Sequence, residues 1–420
     1  MKFTKLALVG TTALTLSMTT AMANDNKAFL TQDGTNNAAL VTQSGNRNEA
    51  GAATPTMTQE GANNQLTILQ SGNRNDIGLE GGGVFQDNPY NNGSQMQIDI
   101  TQSSSNNVVG SVLQSTTDQN VAGSGNSTEI TQAGWGSNRV GYVKQTQSGT
   151  GVNTLDVRQS GWLDRLETVT QNSSVDAGAP NLITVRMDGV RNGSGSLAGF
   201  ASETGAETST LRQGNLNAAS QGNSIFLRVT GTGNDFGVTQ NGTDNTVGTL
   251  DLGGLSNNLG INQMGNGNTV SMASVSGVSN DIGVNQLGDT NLSSVAVSGS
   301  FNQMGVYQDG ISNKANVIIT GNDNGLAVLN GGWSGGALNV ASANPMLERG
   351  MVTQMGEFNT ASLTVSGNFN AFGLLQNGQD NAITGVQSGN YNQAAVAQVG
   401  NGNTANFTQI GNGNSLGISQ

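Results

Sequence analysis

The sequence predicts an all-β chain: a β-solenoid of stacked strand-turn-strand rungs, about 22 residues per rung and 11 per half-turn, with the pairing of a cross-β, amyloid-like stack. Three observations predict it: a composition poor in core-forming residues but rich in amides, a fixed 11-residue repeat, and a two-residue alternation inside each repeat. Of 420 residues only 34% are hydrophobic, 4% aromatic and 10% charged, while 62 are Gly. That leaves too little apolar bulk for the two or three compact cores such a length otherwise implies. Asn, Gln, Ser, Thr and Gly make up the difference, rather than the Lys, Glu and Pro of disordered chains. Something other than an apolar interior must hold the chain.

The repeat is Q-x-G-x-x-N. It occurs as Gln32-x-Gly34-x-x-Asn37, Gln43-x-Gly45-x-x-Asn48, Gln59-x-Gly61-x-x-Asn64 and Gln70-x-Gly72-x-x-Asn75 near the start. In the second half it returns at Gln240/Gly242/Asn245, Gln263/Gly265/Asn268, Gln286/Gly288/Asn291, Gln308/Gly310/Asn313 and Gln354/Gly356/Asn359. Four consecutive copies follow at 11-residue steps: Gln376/Gly378/Asn381, Gln387/Gly389/Asn392, Gln398/Gly400/Asn403 and Gln409/Gly411/Asn414, with Gln420 in the same register. Between the second-half copies the frame persists with Val229, Val275, Val297, Ile319 or Val365 in place of Gln.

Alternation defines the strand. Ala405, Phe407 and Gln409 share one side, and Thr404, Asn406, Thr408 and Ile410 the other, the pattern of a strand with one face buried. The G-x-x-N segment makes the return, because Gly and Asn tolerate positive φ. One rung cannot bury its own inner face, so rungs must stack at about 4.8 Å, which places each Gln and Asn on its own copy. The expected role of the repeat residues is therefore structural: inward Gln and Asn form amide ladders, and Gly and Asn shape the corners. None of the four prolines (Pro55, Pro89, Pro180, Pro345) falls within a matching motif, as a backbone ladder requires.

Boundaries follow from the same frame. Lys2 and Lys5, the apolar stretch 6–18 and Ala21-Met22-Ala23 predict a secretory signal peptide over 1–23, cut after Ala23. Regular repeats are expected over 24–75, degenerate repeats with longer turns over 76–228, regular repeats over 229–324, an insertion over 325–350 and regular repeats over 351–420. In the degenerate part Gln147, Gln159 and Gln171 follow at 12-residue steps, and the corner 134–138 holds one residue more. The insertion fits either a loop or a degenerate rung. No segment after the leader is long and apolar enough to span a bilayer.

The absence of Cys and His removes the usual thiol nucleophile, general base and transition-metal ligands. No catalytic, cofactor-binding or metal site is expected, and no enzyme. The formal charge of −12 argues against a nucleic-acid partner. The glycine strings lack a Walker lysine, and the 11-residue period with Asn in frame does not fit a calcium β-roll. Acidic residues beside turns (Asp76, Asp244, Asp289, Asp380) read as solubilising charges, and Arg47 and Arg74 as corner charges. Trp135, Trp162 and Trp333 read as loop anchors, with a surface-binding platform as the alternative.

The segments Asn403-Thr-Ala405-Asn-Phe-Thr-Gln409 and Asn392-Gln-Ala394-Ala-Val-Ala-Gln398, joined by their Q-x-G-x-x-N turns, resemble the curlin repeat. The resemblance covers 26–76 and 229–420 strongly and the middle weakly. It implies a secreted bacterial subunit of extracellular curli-like fibres, polymerising with itself by strand stacking and supporting biofilm matrix and cell adhesion. It further implies other curlin subunits, periplasmic chaperones and an outer-membrane secretion channel as partners. This chain has many more units than familiar curlins and irregular spacing, which leaves open major subunit, nucleator or associated adhesin. The alternative is a monomeric or fibre-associated solenoid adhesin that binds a surface or glycan. Gln32, Gln43, Gln398 and Gln409, nearest the termini, are the candidate docking positions.

Overall fold

The computed structural model describes residues 7–9, 13–18, 24–79, 82–89, 95–117, 124–148, 152–173, 179–214, 221–325 and 332–420. Its strands pair in parallel within two stacked sheets, as a β-solenoid does. Two compact units are present: 1–194 with 209–229 and 241–243, and 195–208 with 230–240 and 244–420. Of the expected leader, Ala7–Val9 and Ala13–Met18 are strands, and the rest lies outside the described residues.

In the first unit one sheet runs through Leu30–Thr35, Met57–Ala62, Val84–Asn88, Val108–Thr116, Arg139–Gln147, Arg165–Asn172 and Thr210–Gln213. Each strand pairs with the next in register. The second sheet runs through Ala38–Gln43, Asn64–Gln70, Gln95–Gln102, Ser124–Gln132, Asn153–Gln159 and Asn181–Val190. The rung length departs from 22 here. Gln32 and its partner Gln59 are 27 residues apart, and Gln114 and Gln145 are 31 apart. The surplus sits outside the strands, as in residues 51–56 between Glu49–Ala50 and Met57–Ala62. Strand positions keep register, because a slip of one residue would turn the buried face outward. One alignment is corrected: Gln145, not Gln147, stands between Gln114 and Gln171, and Gln147 lies opposite Thr116.

In the second unit the first sheet runs through Asn258–Met264, Asp281–Asp289, Gln303–Ile311, Met351–Glu357, Ala371–Gln379, Gln393–Val399 and Ser415–Ser419. The second runs through Thr246–Leu252, Thr269–Val278, Leu292–Ser300, Lys314–Thr320, Thr360–Ser366, Ala382–Ser388 and Thr404–Ile410. Partners here are 22 or 23 residues apart, except at one step in each sheet, where Gln308 and Gln354, and likewise Ile319 and Val365, are 46 apart. The stretch 325–350 accounts for that longer step. It is neither a bare loop nor a rung: it carries a helix, α2 (Gly335–Ala343), and residues 326–331 lie outside the described ones.

The two faces of this unit differ. Second-sheet strands such as Lys314–Thr320 and Thr404–Ile410 alternate strictly between exposed and buried residues. First-sheet strands such as Ala371–Gln379 and Gln393–Val399 instead begin with six buried residues in a row. Their outer face is covered by two excursions of the same unit, α2 and a shorter helix, α1 (Gly199–Glu203). Small residues admit the cover: Gly260, Gly283 and Gly305 stand in one register column, as do Gly373, Ala395 and Gly417. A Cβ on Gly260 would lie 2.0 Å from the Ala201 carbonyl oxygen, and one on Gly417 2.0 Å from that of Gly336. Ala337, Val340 and Leu347 bury against Leu375, Ala395 and Ala397. Asp281 accepts the Phe200 and Ala201 N–H groups at 2.9 and 3.0 Å, and Gln393 Oε1 accepts the Ser334 N–H at 2.7 Å.

Replacing Gly417 by Val is expected to displace α2, costing about 1–3 kcal/mol by overpacking. A lowered melting temperature with new protease cleavage inside 335–343 checks it; an unchanged digest would contradict the assigned contact.

Candidate functional site

The candidate site is the set of amide columns that the alternation turns inward. In the first sheet Gln32, Gln59, Gln86, Gln114, Gln145, Gln171 and Gln213 form the first unit's column. In the second unit Gln263, Gln286, Gln308, Gln354, Gln376 and Gln398 stand in register with one another, with Gln240 and Gln420 hydrogen-bonded at either end. All but Gln420 are at most 2% exposed. Each Nε2 has two hydrogens, and inside the columns both are used, whereas Gln32 Nε2 donates only to Gln59 Oε1 and Gln420 Nε2 only to the Thr404 carbonyl. Gln308 Nε2 donates to Gln354 Oε1 at 2.8 Å and to the Leu292 carbonyl at 3.0 Å; Gln286 repeats this with Gln308 at 2.8 Å and Thr269 at 3.1 Å. The second-sheet column holds Gln43, Gln70, Gln102, Gln132 and Gln159 in the first unit and Gln387 and Gln409 in the second.

Asn and Gly occupy the corners. Asn291 is typical: its N–H and Nδ2 donate to Asn268 Oδ1 at 3.0 and 3.1 Å, and Nδ2 also reaches the Leu287 and Gly310 carbonyls at 2.9 Å. Asn37 and Asn48 reach the carbonyls of Gly61 and Gly72; Asn245, Asn268, Asn313, Asn359, Asn381 and Asn392 reach those of Gly265, Gly288, Gly356, Gly378, Gly400 and Gly411. Asn64, Asn75, Asn403 and Asn414 donate backward to the Asn of the preceding rung. Gly242 and Gly389 accept from Asn223 and Asn370. Gly34 and Gly45 open the first corners at φ 115° and 88°. Gly310 shows why no other residue serves: φ is 131°, and a Cβ would lie 2.0 Å from the Gly356 oxygen.

The columns have a direction. Gln Nε2 donates toward higher residue numbers, while Asn Oδ1 accepts from the rung that follows.

Residues 23–52, which carry the first two of these turns, match the family model of the curlin associated repeat. That segment is a curlin repeat. No curated protein matches the chain.

Three interruptions of the columns show what the ladder requires. In the second sheet Gln159 Nε2 meets Met187, whose sulfur is a weak acceptor at 3.6 Å. From Leu252 to Val365 the same position of the second unit is aliphatic, and where amides resume, Gln387 Oε1 is buried without a partner. The third is Asp164, which stands in the Asn column as the last residue of Gln159-Ser-Gly-Trp-Leu-Asp164. Its Oδ1 accepts Asn192 N–H and Nδ2 at 3.0 Å as an Asn would, but its Oδ2 replaces the amide donor and has no partner. Burial pushes this carboxyl up to about 6, against the opposing pull of the Asn192 hydrogen bonds. Asp281, also buried, is likewise raised to about 6.

Of the aromatic residues singled out in the sequence, Trp135 is 89% exposed and Trp162 44%, both on first-unit corners, whereas Trp333 packs against the α2 cluster. Phe369 and Tyr391 stack on successive second-unit corners with ring centroids 4.9 Å apart. Among the described residues no three His, Cys, Asp or Glu side chains gather as a metal site.

A carboxyl raised from 3.8 to about 6 binds its proton preferentially in the folded state, so folding is most favoured below the unfolded value and loses stability as pH rises through 6. Asp164→Asn, which restores the missing donor, is therefore expected to add about 3 kcal/mol at pH 7 and almost nothing near pH 4. Denaturant unfolding at the two pH values checks it, with a pH-independent or negative effect counting against this account.

Proposed function

We propose that this curlin-repeat chain is a secreted structural subunit that adds end to end into extracellular curli-like fibres, supporting biofilm matrix and cell adhesion, and carries no enzymatic activity. The directional ladder supports the reading. The edge next to the leader presents Gln32 and Gln43, and their Oε1 atoms are buried without a hydrogen-bond partner. Leu8 and Met18 stand opposite them in register, and neither residue type carries a side-chain N–H. A buried acceptor left unmade costs about 1–3 kcal/mol. At the other edge Gln409 and Gln420 follow in the two columns, and Gln Nε2 groups there point onward. One edge thus lacks donors and the other ends columns whose amides donate toward it, so removal of 1–23 frees a surface that a second copy satisfies. Repetition of the backbone pairing carries the fibre on.

Export through an outer-membrane channel, with periplasmic chaperones holding the chain unfolded and other curlin subunits as partners, belongs to the same proposal. It rests on the family assignment and the leader-like 1–23 segment.

The test uses the processed chain 24–420 and seeded growth followed by fibre diffraction. Gln32→Leu with Gln43→Leu removes both acceptors and is expected to slow seeded elongation roughly tenfold to a hundredfold, each lost buried hydrogen bond being worth up to about tenfold. Elongation at the parent rate, or a product that stays monomeric with or without seeds, would sink the proposal.

A further inference from the structure

We infer that a corner of the first unit is a binding site for a carboxylated sugar ring, the repeating element of an acidic polysaccharide. Three successive rungs build it. Arg139 and Arg165 are register partners in adjacent strands, and Arg191 follows in the next rung, its N–H donating to the Trp162 carbonyl at 2.9 Å. With Ser137, Leu163 and Ser194 these arginines line a hollow of about 500 Å³. Glu167 lies between Arg139, at 3.8 Å, and Arg165, holding two guanidinium groups side by side and leaving the three-arginine group with net positive charge in a chain of net charge −12.

Two exposed tryptophans stand next to the lining residues in sequence. Trp135 precedes Gly136 and Ser137 in one rung, and Trp162 precedes Leu163 in the next; both are exposed, Trp135 more than any other large apolar residue of the described chain. Trp162 pairs with Gly136 on one side, a position with no side chain to cover the ring. Neither exposure helps the fold, since a solvent-facing indole forgoes about 25 cal/mol for each Å² left in water. Two exposed tryptophans and three arginines gathered on successive turns of one corner point to contact rather than stability.

The ligand class follows from the two kinds of group. A guanidinium fork binds a carboxylate bidentately, and an indole face takes the apolar face of a ring. A polymer carrying one carboxylate per sugar ring offers both in repetition. The site lies on a corner, not on an end of the ladder, so occupancy does not depend on whether copies add end to end.

The test measures binding of the processed chain, before assembly, to polygalacturonate, with uncharged dextran and polyglutamate as comparison polymers. Polygalacturonate is expected to bind and the other two at least tenfold more weakly. Trp162→Ala, and separately Arg165→Gln with Arg191→Gln, are each expected to weaken it about tenfold or more while far-UV circular dichroism stays unchanged. Equal binding of polyglutamate would reduce the site to bare charge, and polygalacturonate binding indifferent to both variants would place it elsewhere; either overturns the inference. Seeded-growth rates report on the fibre proposal separately, so the two can fail independently.

Discussion

Everything in this chain depends on one constraint: a buried side-chain amide is fully satisfied only if another amide stands one strand spacing away, in the same orientation, to take its hydrogen and give back an oxygen. Gln meets that condition when its own copy recurs in the next rung, as Gln286, Gln308 and Gln354 do at 2.8 Å. The backbone ladder alone tolerates slippage, whereas the amide columns do not, because a slip of one residue would bury several unsatisfied groups at about 1–3 kcal/mol each. Register is thus fixed by polar groups that in an ordinary core would be a liability.

That division of labour explains how the rungs can differ so much in length. Between Gln145 and Gln171 there are 26 residues and between Gln171 and Gln213 there are 42, yet both pairs are hydrogen-bonded within 0.1 Å of the same distance. Extra chain leaves at corners and returns to the same column, a change whose entropic cost grows only slowly with length. In the second unit two such departures fold back over the first sheet, where glycine and alanine leave room for them. Its second sheet keeps an uncovered face of alternating polar residues, so lateral contact and axial stacking are separated in the molecule.

Much of this was legible from residues alone. The thirteen Q-x-G-x-x-N turns and the Ala405/Phe407/Gln409 parity place strands, inner face and corners, because each feature has a period that the backbone imposes. Gln114 was legible by its 12-residue step from Gln102, but Gln86, Gln145 and Gln213 were not, since none is followed at the frame's spacing by both the Gly and the Asn of the turn and the distance to the next rung is set by patternless loops. Leu252-Gly-Gly254-Leu-Ser-Asn257 carries the aliphatic version of the frame and was readable in principle, as was Asp164 in place of Asn. The covering helices were not. Their contacts join residues as far apart as Ala201 and Asp281, and the glycines that admit them look in sequence like any other glycine of a glycine-rich chain.

The central claim is that the Gln and Asn columns, not the apolar residues, hold the register, and side-chain amide hydrogen exchange measured by NMR on the folded chain tests it most directly. Column amides such as Gln286, Gln308 and Asn291 are predicted to exchange as slowly as the backbone N–H groups of their strands, and exposed amides such as Asn406 at near-peptide rates. Fast exchange of the column amides beside slow backbone exchange would contradict the account, leaving the ladder without the bonds on which its register is said to rest.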